Sequence, residues 1–196
     1  MSNSQPALLD RFMLRFDVRG RHEITIHAPA PVVIETARNF RIESVFLVRS
    51  LFKMRAAFLR SPVSPPLEGH GLVEQMTRIG WQILAEERDQ YLIAGSACRP
   101  WLPDPGFTPV GAETFAAFSL PGLVKIAWTL EAIRLGPDRT LFATETRAAA
   151  TDESARRMFR SYWRKFGAGI VLIRLVLLPA LRRQAENNWR LQKYAA

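Results

Sequence analysis

Few side chains in this 196-residue chain stand at spacings that could do chemistry. His22 and His27 share one alternating stretch, HEITIHA. Their odd separation along a strand sends them to opposite faces, so they cannot hold one metal ion together. His70 falls in a loop, and no fourth ligand stands at a workable spacing, so no metal is implied. Cys98 is the single cysteine. A thiol nucleophile needs a base that the fold brings to it, and Cys98 reads as structural. No glycine-rich phosphate loop, G-x-S-x-G elbow or H-E-x-x-H occurs, and no cofactor is implied. Glu145 and Arg147, in the run TETR, could be an acid–base couple if buried; on an outer sheet face they are an exterior ion pair, with Glu145 near Lys125.

A second set is suited to binding. Thr144, Thr146 and Trp128 project to one side of a hairpin, and Trp81, Tyr91 and Trp101 could line the same interior or its mouth. Tyr162 belongs to an aromatic stripe on the helix that would close it. Tyr and Trp join an apolar body to one polar handle, which suits an amphipathic ligand. A buried hydroxyl needs a partner, so each Thr should find a backbone, water or ligand acceptor.

These residues are placed by a simple order of elements. His22–Ala28 alternates as a strand. Pro31 opens a helix over PVVIETARNF. Residues 44–59 (SVFLVRSLFKMRAAFL) read as a second helix, and Pro62, Pro65 and Pro66 make a loop. From Gly80 the period changes to two, giving strands around Trp81–Glu86 and Tyr91–Ala97 with a turn at Glu87–Asp89. Pro100–Gly106 is a proline-rich loop, and Glu113–Ser119 reads as a short strand. Leu123–Arg134 and Thr140–Ala150 form a hairpin. With Arg134 opposite Thr140, the face with Ile126, Trp128, Leu130, Phe142, Thr144, Thr146 and Ala148 is largely apolar. The other, with Lys125, Ala127, Thr129, Glu131, Leu141, Ala143, Glu145 and Arg147, reads as the solvent face. Thr151-Asp152-Glu153 caps a terminal helix over 152–193. In it Met158, Phe159, Tyr162, Trp163 and Phe166 make an apolar stripe, and Ile170–Leu178, apolar nearly all round, should be enclosed. Pro179 is a site for a kink.

Bulk properties bound the class. Hydrophobic residues make up 48% of the chain, which suits one globular domain over 1–196, with residues 1–20 an N-terminal extension. One cysteine precludes an internal disulfide and fits a cytoplasmic protein. The N-terminus, broken by Asp10, Arg11 and Arg15, does not read as a signal peptide. The longest apolar run, Gly167–Leu181, holds Arg174 and falls short of the roughly 20 residues of a membrane span. The net charge is +9. Arg156, Arg157, Arg160 and Arg164 make one face of the terminal helix basic, which suits a solvated face or an anionic membrane surface. No nucleic-acid-binding signature accompanies them.

The chain resembles the START-like, helix-grip superfamily that includes the polyketide cyclase/dehydrase-like proteins, and within it an uncharacterised actinobacterial-type group. The matching segments are LLDRFMLRFDVRGRHEITIHAPAPVV, GWQILAEE, LVKIAWTLEAI, TETRAAATDESARRMFRSYW and IRLVLLPALRRQAE. The resemblance implies an α+β fold in which a curved antiparallel sheet wraps a long C-terminal helix, with two short helices after the first strand. It also implies a cavity between sheet and helix for a lipid- or polyketide-like molecule. A non-catalytic binder or carrier is the leading expectation. A cyclase-like enzyme and a membrane-surface or partner-binding module are the alternatives. Ligand identity and oligomeric state do not follow from the sequence.

Overall fold

The computed structural model of the protein describes residues 7–41 and 70–195. The segments expected as a second helix and a proline loop, 44–59 and 61–66, lie outside the described residues. A five-stranded antiparallel sheet has the order β1-β5-β4-β3-β2, from β1 (Val18–Ile26), β2 (Gln82–Glu87), β3 (Tyr91–Cys98), β4 (Val124–Gly136) and β5 (Arg139–Ala150). Among the described residues four helices accompany it: α1 (Ala30–Arg38), α2 (Leu72–Arg78), α3 (Ala112–Phe115) and α4 (Glu153–Ala195). A 3-10 turn, Leu8–Arg11, precedes them. The open sheet with a long C-terminal helix packed on one face is the expected helix-grip arrangement.

Local chemistry accounts for most boundaries. Pro31 stands in the first turn of α1, where the missing N–H has no intrahelical use. Asp89 takes a positive φ of 67° in the β2–β3 turn, a conformation that aspartate tolerates. The central hairpin joins through Pro137 and Asp138, and Arg134 opposes Thr140, as the alternation predicts. Asp152 caps α4: its Oδ1 accepts from Ala155 N at 2.8 Å, and its other oxygen accepts from Gly122 N, tying the helix start to the loop before β4.

Two apolar layers sandwich the sheet. On the face toward α1 and α4, which we term inner, Ile26, Leu92, Ala94, Trp128, Leu130, Ala132 and Phe142 pack with Val33, Ile34 and Ala37 of α1 and Leu178, Leu181 and Ala185 of α4. The opposite, outer face is also covered. Leu9, Phe12 and Met13 lie on it beside Leu84, Ile93, Ala97, Phe115 and Ala127. Gly95 permits this packing, since a Cβ there would come within 2.5 Å of Phe115 and 2.7 Å of Leu84. Covered on both sides, β3 is buried at every residue after Tyr91.

Two expectations need correction, and one element went unread. Glu113–Ser119 is not a strand; its first residues belong to α3, whose Phe115 is a buried wedge against the sheet. Leu72–Arg78 is a helix that the sequence reading passed over. Ile170–Leu178 is not enclosed, for Val171, Leu172 and Leu175 are 39%, 40% and 55% exposed. Helix α4 is held from one side, by β1, β5 and α1, and its far side faces outward over these turns. The helix continues through Pro179 to Ala195, where Lys193 Nζ meets Asp138 at 2.8 Å at the hairpin tip.

Candidate functional site between the sheet and the terminal helix

Strand register places the inner-face side chains in rows. Gly20 pairs with Thr146, which pairs with Trp128; His22 pairs with Thr144; Trp128 pairs with Ala94. Along β5 the inner residues therefore run Phe142, Thr144, Thr146, Ala148. Phe142 belongs to the large apolar cluster with Trp81 and Trp128. Ala148 belongs to a smaller one with Val124, Phe159 and Tyr162, against which Trp101 packs. Thr144 and Thr146 form a polar waist between the two.

Arg174 of α4 reaches this waist. Its Nη2 donates to Thr146 Oγ1, and its Nη1 donates to the Gly20 carbonyl at 3.4 Å. Gly20 is the residue that fits here: a Cβ would stand 3.1 Å from Arg174 Nη1 and 3.9 Å from His22 Nε2. Thr144 donates to the Thr129 carbonyl at 2.7 Å. No carboxylate pairs with Arg174 among the described residues. Burial lowers its pKa from the ordinary guanidinium value. Burial, and then the Arg174 charge, lowers that of His22, which favours the neutral imidazole.

The waist is not sealed. Ile126, Thr144 and Thr146 stand on β4 and β5, neither of them an edge strand, and face the helix layer, yet all keep part of their surface exposed. Beside it, the indole N–H groups of Trp81 and Trp128 are buried without a hydrogen-bond partner, their rings 6.3 Å apart. Buried donors without partners are uncommon, because each forfeits its hydration without replacement.

The structure sorts the expected site residues into three groups. Trp81, Trp128, Thr144 and Thr146 share the inner face as expected. Trp101 and Tyr162 share its other end, beside the first turns of α4. Tyr91 does not join them: it points to the outer face and packs in the cluster with Leu9 and Phe115, because its alternation partners are Ile93, Gly95 and Ala97. Sequence reasoning did not assign Arg174, His22 or Gly20 to this site. The signal for Arg174 was its position as the one cation in an apolar run; its target could be found only from the fold.

The Glu145–Arg147 pair departs from expectation in an informative way. The hairpin register is as read, and both residues do lie on the outer face. They are nonetheless 1% and 2% exposed, because residues 8–16 cover them. Arg147 Nε donates to Glu145 at 2.7 Å, and its Nη1 donates to Asp10 and to the Met13 carbonyl, each at 2.7 Å. Arg19 meets Glu145 at 2.9 and 3.1 Å, and Arg21 meets Glu131 at 3.1 Å. Phe16 lies over the Arg147 guanidinium at 4.8 Å. Burial pushes the Glu145 carboxyl up, but the hydrogen bonds from Arg19 and Arg147 outweigh it, and the net shift is downward. Lys125 is not its partner; it donates to the carbonyls of Phe115 and Ala116 at 3.1 and 2.9 Å. This network is a structural clasp in which each carboxylate has its own guanidinium, on the face away from Trp81 and Trp128.

Other candidates are peripheral. His27 lines an open surface cavity of about 360 Å³ with Arg182, Glu186 and Arg190. His70 pairs with Glu74 at 2.8 Å. Cys98 is buried at the end of β3. Among the described residues no helix is long and apolar enough to cross a membrane, and no group of three His, Cys, Asp or Glu could hold a metal ion.

No protein-family model matches the chain, and no curated protein does. Among solved structures, the protein TTHA0849 from Thermus thermophilus aligns with 86% of this chain and 97% of its own, at 13% identity and a TM-score of 0.33. The Zhui aromatase/cyclase from Streptomyces sp. R1128 aligns with 86% of this chain and 93% of its own, at 16% identity and a TM-score of 0.27. Likeness at those scores carries no weight for this chain, whose fold and site stand on its own residues.

Proposed function

We propose that the protein binds a small apolar or amphipathic molecule between the inner sheet face and α4, in the manner of the START-like proteins it resembles. The observation that carries this reading is the pair of unpartnered indole N–H groups, Trp81 and Trp128, beside a part-exposed polar waist. A ligand oxygen in reach of either donor would replace the hydration it gave up on folding. Native mass spectrometry of gently purified protein, with displacement of a neutral fluorescent probe by lipid extract, tests it. A retained mass or a displaced probe supports binding; a bare protein that takes up neither ends it.

A catalytic reading of the same site rests on His22. A neutral imidazole at the waist meets the protonation requirement of a general base, and a cyclase-like reaction asks for little beyond positioning and one such group. It requires turnover that His22→Gln removes while binding persists.

A membrane-surface reading rests on the exposed window Val171, Leu172 and Leu175, with exposed Arg164 before it and exposed Arg182 and Arg183 after it. Sedimentation with anionic and neutral vesicles across a salt series separates it from the others; equal behaviour with both vesicles removes it.

A further inference from the structure

Among the described residues Arg174 is the one cation at the inner waist, and its surroundings leave that charge incompletely answered. A guanidinium carries five N–H donors in a planar fork suited to oxyanions. Two of the donors of Arg174 are engaged, and both acceptors, Thr146 Oγ1 and the Gly20 carbonyl, are neutral. The carboxylates of the same strands, Glu23, Glu131 and Glu145, project to the opposite face and are taken by Arg19, Arg21 and Arg147. The sheet thus segregates its charges: these anions lie on the outer face with their own cations, while Arg174 meets only neutral acceptors on the inner one. An interior charge without a counter-charge is costly and is ordinarily paired. The apolar wall next to it, Ile126 and Trp128, continues to the two indole donors.

We propose that Arg174 and Thr146 seat the anionic head group, a carboxylate or phosphate monoester, of a molecule whose apolar part lies along Ile126 and Trp128. This rests on the reading that a ligand occupies the space between sheet and α4, and it narrows the ligand class to amphipathic anions. The head group supplies the counter-charge that the fold omits, and the fork geometry of Arg174 favours two oxygens over one. Gly20 keeps the backbone low beneath the guanidinium, so the seat is set by β1 as much as by α4.

Dodecanoate, dodecyl phosphate and dodecanol share one tail and differ in head group, so their affinities, measured by calorimetry below their aggregation concentrations, separate the head from the tail. The intact chain should bind at least one of the two anions roughly tenfold or more tightly than the alcohol, as a charge-assisted pair allows; which anion leads identifies the head. In Arg174→Met that preference should vanish while the affinity for dodecanol is retained, and Thr146→Val should reduce it by a smaller factor. Equal binding of all three ligands by the intact chain, which needs no variant, overturns the anion seat and leaves the apolar site standing. Preference retained in a folded Arg174→Met also overturns it. Failure of all three to bind overturns both the seat and the binding site beneath it.

Discussion

Arg147 on β5 reaches Asp10, 137 residues earlier in the chain, at 2.7 Å. The same nitrogen also donates to the Met13 carbonyl. One guanidinium thereby holds the N-terminal segment against the outer face of the sheet. Replacing it with Met removes one donor from part-exposed Asp10, which keeps Ala7 N, and one from buried Glu145, which keeps Arg19. A loss of about 1.5–3 kcal/mol is expected, the usual contribution of hydrogen bonds to charged groups, since neither carboxylate is left buried and unpaired. Urea unfolding measures that loss, and limited trypsin digestion should cut at Arg11 and Arg15 earlier in the variant than in the parent.

Trp128→Phe should be mild for so large a buried side chain. The indole N–H has no partner to lose, so the change removes ring volume and an unsatisfied donor together. We expect about 1–2 kcal/mol, against about 3–5 kcal/mol for Trp128→Ala. Urea midpoints check the two values. If the donor serves a ligand, dodecanoate should also raise the melting temperature of the Phe variant less than that of the parent.

His22 gives stability a pH dependence of definite sign. Burial and Arg174 lower its folded pKa below 6.5, so on acidification the unfolded chain takes a proton before the folded one does. Stability from this group is full above pH 6.5 and is lost as pH falls through the lower folded value. The parent should lose more stability than His22→Gln on moving from about pH 7 to about pH 5. The difference between the two unfolding curves isolates the histidine from the carboxylates.

Gly20→Ala tests the seat from the other side. The new Cβ would stand 3.1 Å from Arg174 Nη1, and the guanidinium, the end of a flexible side chain, is the group that moves. Global stability should change by less than about 1 kcal/mol, since alanine also restricts the unfolded chain. The affinity ratio of dodecanoate to dodecanol should fall several-fold, which calorimetry reads directly.

The sequence conveyed the inner face better than the outer one, for a physical reason. Alternation along Ile126–Leu130 and Phe142–Ala148, with a two-residue Pro137-Asp138 turn, sets register locally, and Arg134 does oppose Thr140. Alternation says which residues share a face; it does not say what covers that face. The cover over Glu145 and Arg147 comes from Leu9, Phe12 and Met13, far away in the chain, so a buried charge cluster read as a solvated one. Tyr91 was misassigned to the inner side for the same reason, since both faces of β3 are apolar. Helix α2 had a legible signal in Leu72, Val73 and Met76 at helical spacing. Arg174 was legible as an anomaly, but its partner Thr146 is 28 residues away and meets it only through packing.

Cys98, the chain's single thiol, is sealed at the last residue of β3 opposite Val124. A maleimide cannot reach it until that end of the β3–β4 seam parts. The protein therefore carries its own clock: the rate at which the thiol is alkylated reports how often the seam opens, without any engineered probe, and anything that tightens the sheet should slow the clock.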